Sequence, residues 1–131
     1  MSEITHTKLE CPFCLGNGLF KGEILAKSPG AYLAENHFNP GSYLIIPLDH
    51  VESPLKLSDT WWAEVKELLP KVLGLDEHYN ISLNFGSHAG QSVKHLHFWI
   101  VPRFSGKPSS GKGLARLISE ADTAQDRQTN E

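Results

Sequence analysis

The sequence predicts an α+β domain: an antiparallel sheet of about five strands, one main α-helix and a short C-terminal helix. Three observations carry this. One long stretch, residues 58–74, spaces its apolar residues at helical intervals. Five shorter stretches read as strands, by alternation or by a dense run of β-formers. Their order, β-β-β-α-β-β, sets the main helix apart rather than alternating helices with strands as a parallel sheet would require.

With 131 residues, 40% of them hydrophobic and 21% charged, the chain has material for one compact domain with its own core. A formal charge of −3 and a pI near 6.1 argue against a large nucleic-acid or membrane-surface footprint. A small anionic ligand in a local site fits those values. The opening MSEITHTKLE lacks a basic start followed by an apolar run. No segment approaches the roughly 20 apolar residues that span a bilayer, so a soluble cytoplasmic protein is expected.

Taken in order, residues 22–36 form two short runs around Ser28-Pro29-Gly30, a Pro-Gly turn signal that predicts a β-hairpin. SYLIIPL, residues 42–48, is too short for a helix and rich in β-formers, and predicts a central strand. It delivers Asp49 and His50 at its end. The helix of residues 58–74 opens on a capping type, Ser58, and sets Trp61, Val65, Leu68 and Leu73 against Glu64, Lys66, Glu67 and Lys71. Pro70 cannot donate to the carbonyl of Lys66, so a kink or break is expected there. YNISLNF (79–85) and VKHLHFWIV (93–101) predict two further strands joined by a Gly-containing loop. After Arg103, residues 105–131 read as a linker, a helix over 114–121 and a polar, frayed tail appended to a domain of residues 1–104.

Two features carry chemistry. Alternation along 93–101 places Val93, His95, His97, Trp99 and Val101 on one face of the predicted strand, and Lys94, Leu96, Phe98 and Ile100 on the other. The second feature is Cys11-Pro12-Phe13-Cys14, holding the only two cysteines. They are too few for a disulfide framework and spaced as a metal knuckle or a redox pair, with two reduced buried thiols as the plainest alternative.

The stretch GQSVKHLHFWIVPR, residues 90–103, resembles the signature of the histidine triad (HIT) superfamily of nucleotide hydrolases and transferases. SYLIIPLDHVES, the helix after SDTWW and YNISLNFGSHAGQSV extend the resemblance from about Cys11 to Arg103. It implies a HIT-like fold assembled as a homodimer, with a nucleoside phosphate over the triad segment. His97 is then the nucleophile, attacking an α-phosphorus to give a nucleotidyl-histidine. Asn84, Gln91 and Ser92 match positions that contact the phosphate, with Gln91 and Ser92 aiding catalysis. Imidazole suits the role, since a pKa near 6.5 leaves it largely neutral at pH 7 and covalent catalysis splits one displacement into two.

The resemblance also implies a zinc ion bound by Cys11, Cys14, His50 and His95. Two thiolates and two neutral imidazoles form a closed tetrahedral set with a structural rather than water-activating role. The third triad position, usually histidine, is Trp99. Indole offers one N–H donor and no titratable proton, so Trp99 is expected to donate to a phosphate oxygen, stack against a base or pack in the core. Where the family places an acidic ribose-binding residue this chain has Ala34; Glu35 could serve only after a register slip that would turn it to the opposite face. His6, His37, His78 and His88 are expected at the surface. The competing readings are a weakly active or inactive zinc-containing nucleotide-binding module and, more remotely, a redox protein using the cysteine pair.

Overall fold

In the computed structural model, which describes residues 8–129 and side chains to residue 125, five strands form one antiparallel sheet. They are β1 (Ile24–Lys27), β2 (Ala31–Glu35), β3 (Tyr43–Pro47), β4 (Tyr79–Leu83) and β5 (Phe98–Pro102), in spatial order β1-β2-β3-β5-β4. The first hairpin turns at Ser28-Pro29-Gly30, closed by the Ser28 amide donating to the Ala31 carbonyl at 2.9 Å.

Alternation sorts the central strands onto two cores. Ala31, Leu33, Ile45, Phe98 and Ile100 pack on one face against Trp61, Val65, Leu68 and Leu73. Tyr32, Ala34, Leu44 and Ile46 pack on the other against Cys11, Phe13 and Cys14. A sheet covered on both sides explains why residues 42–48 read as an almost unbroken apolar run.

The main helix, α1, spans Trp61–Leu68 and gives way to a 3₁₀ turn, Leu69–Lys71. The break falls where Pro70 predicts it. The start lies later than Ser58, whose hydroxyl accepts from the Thr60 amide at 3.2 Å and whose carbonyl accepts from Trp61. The second helix, α2, spans Leu114–Thr129 and so outruns the stretch 114–121 that its apolar residues mark. No Gly or Pro follows Gly113, and nothing in DTAQDRQT stops a helix once begun. Arg103 ties the preceding segment down by donating to the carbonyls of Ser109 (2.5 Å) and Lys112 (2.6 Å) and to the side chain of Asn80.

The last strand is shorter than predicted. β5 begins at Phe98, and His95 and His97 precede it on a bent segment. The period of two survives, but the ladder does not reach them. The Leu96 amide donates to the Val51 carbonyl at 2.8 Å, and β3 ends at Pro47, which has no N–H to offer. Its carbonyl accepts instead from His95 Nε2 at 2.7 Å.

Candidate active site and metal-donor cluster

The segment carrying the histidines lies under the knuckle of Cys11–Cys14. Phe13, fully buried, meets the His97 ring edge-on with centroids 4.6 Å apart, and meets His95 at 6.2 Å. Tyr32 O–H anchors the knuckle from β2 by donating to the Phe13 carbonyl at 2.6 Å. Asn17 closes its other end, donating from Nδ2 to the carbonyls of Lys8 (2.8 Å) and Cys11 (2.7 Å).

Four donors converge there. Cys11 Sγ lies 3.4 Å from His95 Nδ1, and Cys14 Sγ lies 3.3 Å from His50 Nδ1 and 3.5 Å from His95 Nδ1. All four donor atoms fall within 4.8 Å of one another, so this group could hold a metal ion. The fit is specific: zinc–sulfur and zinc–nitrogen bonds at a tetrahedral angle place S and N about 3.6 Å apart. Each imidazole presents Nδ1 inward because its other nitrogen is engaged. His95 Nε2 donates to the Pro47 carbonyl and His50 Nε2 lies 2.8 Å from Glu52 Oε2, which also accepts from Lys8 Nζ at 3.2 Å. These partners fix the tautomer that leaves Nδ1 bare.

Burial sets the protonation states. It lowers His95 to about 4, keeping that imidazole neutral and fit to ligate. It pushes the Cys14 thiol up to about 11, so a metal must displace its proton. His97 is lowered too, chiefly by burial.

His97 Nδ1 lies 2.9 Å from the His95 carbonyl. A carbonyl can only accept, so Nδ1 carries the proton and Nε2 of the neutral ring is left with its lone pair. The holder is the backbone of His95, two positions earlier, whose ring belongs to the candidate metal-donor group.

The remaining predicted residues are placed as follows. Trp99 stands beside His97, ring centroids 6.4 Å apart, and its Nε1 is buried without a hydrogen-bond partner. Gln91 closes the loop after β4: its Oε1 accepts from the Gly86 amide at 2.8 Å, its own amide donates to the Gly86 carbonyl at 3.1 Å, and its Nε2 is buried without a partner. Gly90, at φ +96°, lets this loop turn with Asn84 Nδ2 only 3.3 Å from where a Cβ would stand. Ser92 is exposed and lines a cavity of about 660 Å³ together with Lys8, Cys11, His50 and Glu52. Neither Ser92 nor Asn84 hydrogen-bonds to His97. The register Ala34↔Leu44 and Glu35↔Tyr43 sets Ala34 on the knuckle face and Glu35, exposed, on the other.

Four contributors escape the sequence reading: Phe13, the carbonyls of Pro47 and His95, and Glu52. Only Glu52, two residues after His50, left a signal. His37 is exposed as expected but joins the aromatic group through Phe13, Phe20 and Phe38.

The fold and this geometry define a class of small α+β protein with a buried histidine beside a Cys₂His₂ cluster. The chain belongs to the HIT domain family, whose model matches residues 27–106. An uncharacterized HIT-like protein of Methanocaldococcus jannaschii is 37% identical over 73% of this chain and 81% of its own. The adenosine 5′-monophosphoramidase of Schizosaccharomyces pombe is 33% identical over 81% of this chain and 80% of its own. Among solved structures, a zinc-bound histidine triad family protein from Mycobacterium smegmatis superposes with a TM-score of 0.63 at 22% identity, covering 88% of this chain and 98% of its own. No described helix is long and apolar enough to cross a membrane.

Proposed function

We propose that the protein is a nucleotide hydrolase or nucleotidyltransferase that attacks the α-phosphorus of a nucleoside phosphate derivative through His97, giving a nucleotidyl-histidine intermediate. The observation that carries the reading is the 2.9 Å hydrogen bond from His97 Nδ1 to the His95 carbonyl, which aims a bare Nε2 as a nucleophile requires. The buried, unpartnered N–H groups of Gln91 and Trp99 are suited to phosphoryl oxygens whose charge rearranges in the transition state. Asn84 and Ser92 are assigned the remaining phosphate contacts by the family resemblance. The S. pombe relative, a monophosphoramidase, supports nucleotide phosphate chemistry.

Zinc held by Cys11, Cys14, His50 and His95 would supply a structural cross-link here, not a water-activating centre, because four protein donors close the site. These residues bind the knuckle to the sheet, and His95 thereby sets the carbonyl that orients His97. Assembly as a homodimer belongs to the same reading and is checked by sedimentation, where a purely monomeric species at micromolar concentration would count against it.

The test is capture of the adduct. Wild-type protein quenched during turnover of adenosine 5′-phosphate derivatives should gain one nucleotidyl mass. His97→Ala should gain none while keeping its fold and metal. Adduct formation by His97→Ala would end the proposal. The closure of Phe13 over His97, which leaves the histidine 4% exposed, favours one competing reading, a nucleotide-binding module without turnover. Nucleotide binding with no adduct on any derivative would select it.

A further inference from the structure

The second helix has little cover from its own chain. Of the side chains described along α2, those of residues 114–125, only Leu117 is half-buried and the rest are exposed. Isolated helices of about 15 residues are marginal in water even when rich in Ala, and helices in proteins draw most of their stability from packing an apolar face. α2, of 16 residues, has such a face. Leu114, Leu117, Ile118, Ala121 and Ala124 recur at helical spacing and form one stripe. Contact with the domain falls at the first turn, where Leu114 and Leu117 wall a cavity of about 390 Å³ with Ser82, Val101 and Phe104. Even there Leu114 is 65% exposed and Phe104 59%, and Ile118 one turn on is 50% exposed. The helix lies past the residues 27–106 that the HIT model matches, so the stripe belongs to this chain rather than to the family domain.

We infer that α2 is the surface through which a second copy of this chain docks, the two helices lying antiparallel across a two-fold axis. The inference rests on assembly as a homodimer and names the surface that forms it. The stripe is graded in size: its N-terminal half carries Leu114, Leu117 and Ile118, its C-terminal half Ala121 and Ala124. Antiparallel pairing sets Leu114 against the partner's Ala124, and Leu117 and Ile118 against the partner's Ala121, so that large meets small along the whole seam. Parallel pairing would crowd one end and leave a gap at the other. The charges beside the stripe select the same orientation. Arg116 and Glu120 share one flank, joined at 3.1 Å, and Lys112 reaches Glu120 at 2.9 Å. At 100° per residue Asp122 falls on the opposite flank. Antiparallel helices bring like flanks together, so Arg116 of each copy meets the partner's Glu120. A parallel pair would instead set Glu120 beside the partner's Asp122, acid against acid.

The experiment is sedimentation of the full chain at micromolar concentration, where the wild type should dimerise. Ile118→Glu places an unpaired charge in the seam and should raise the dimer dissociation constant by about 10²-fold or more. Ile118 is half exposed in its own chain, so the fold and the zinc content should be kept. Ala121→Leu sets a large side chain against Leu117 and Ile118 and should raise the constant by about tenfold. A patch that binds by apolar area alone would be tightened by the same change. Arg116→Glu and Glu120→Arg should each weaken the dimer severalfold, and the two together should restore it. A dimer indifferent to Ile118→Glu, or tightened by Ala121→Leu, would overturn the inference while leaving assembly as a homodimer standing. A wild type that stays monomeric would remove the homodimer and this surface with it.

Discussion

The two faces of the sheet are closed by different means. On the helix side, β2, β3 and β5 meet Trp61, Val65, Leu68 and Leu73 mainly through apolar contact, so each side chain adds its share of burial and none is indispensable. On the knuckle side the cover is a short irregular segment that packs Phe13, Leu15 and Phe20 on the sheet. It is held at points: Cys11 and Cys14 against His50 and His95, Tyr32 O–H on the Phe13 carbonyl, and Asn17 on two carbonyls. Apolar packing tolerates substitution and grades its losses, whereas a cross-linked loop is lost when a link is lost. The candidate site lies on the second face, where His95 and His97 are buried with a ring nitrogen of each held by a backbone carbonyl.

The largest expected effect removes the links. Cys14→Ser, or chelation of the metal, should cost several kcal/mol, on the scale of the roughly 10 kcal/mol that structural zinc supplies to small folded peptides. Amide exchange should quicken across the knuckle while the amides of α1 stay protected. Leu68→Ala should cost about 2–5 kcal/mol by the same amount with or without metal, because it shares no partner with the cluster. The metal dependence has a sign as well. Burial holds the Cys14 thiol protonated at neutral pH, with a pKa of about 11, so uptake of zinc releases protons. Affinity should therefore rise between about pH 6 and about pH 8. Titration calorimetry in buffers of different ionisation enthalpy reads this release directly. Uptake without proton release, or equal loss of exchange protection on both faces, would break the comparison.

A smaller effect tests whether the knuckle side depends on orientation as well as ligation. Glu52 is exposed and touches no apolar core, yet it holds His50 Nε2 at 2.8 Å. Glu52→Ala should lower zinc affinity by about 10–100-fold, measured by competition with a chromophoric chelator, with the metal-free protein equally stable. Unchanged affinity would show that His50 keeps its orientation without the carboxylate.

The same contrast explains what the sequence discloses. The hairpin at Ser28-Pro29-Gly30, the central strand and the break at Pro70 are local matters of turn chemistry and period, and each appears where the residues put it. The start of β5 does not, because alternation records which face a side chain takes and not whether its backbone has a ladder partner. At His95 and His97 the faces are as read, while the backbone bonds to Val51 instead. The four residues that could hold a metal ion were legible as residue types in a familiar pattern. The carbonyls of Pro47 and His95 were not, since a backbone acceptor has no letter, and Phe13 reads as any core phenylalanine until the knuckle is folded over His97.

The smallest expected effect lies at a polar link on the helix side. Glu64 of α1 accepts from the Gly30 amide at 3.0 Å and from the Ser28 hydroxyl, joining the helix to the first hairpin. Gly30 has no side chain to obstruct it; a Cβ there would stand 3.0 Å from Glu64 Oε2. Glu64→Gln keeps the length and one acceptor while giving up the charge that strengthens both bonds, and should cost about 1 kcal/mol in denaturant unfolding. The loss stays this small because Trp61, Val65 and Leu68 continue to fix the helix on the sheet. Zinc affinity should not move, since the carboxylate faces away from the knuckle across the full thickness of the sheet. A loss of several kcal/mol, or a drop in metal affinity, would show that the helix face too hangs on a single link and that the two faces are coupled through the hairpin between them.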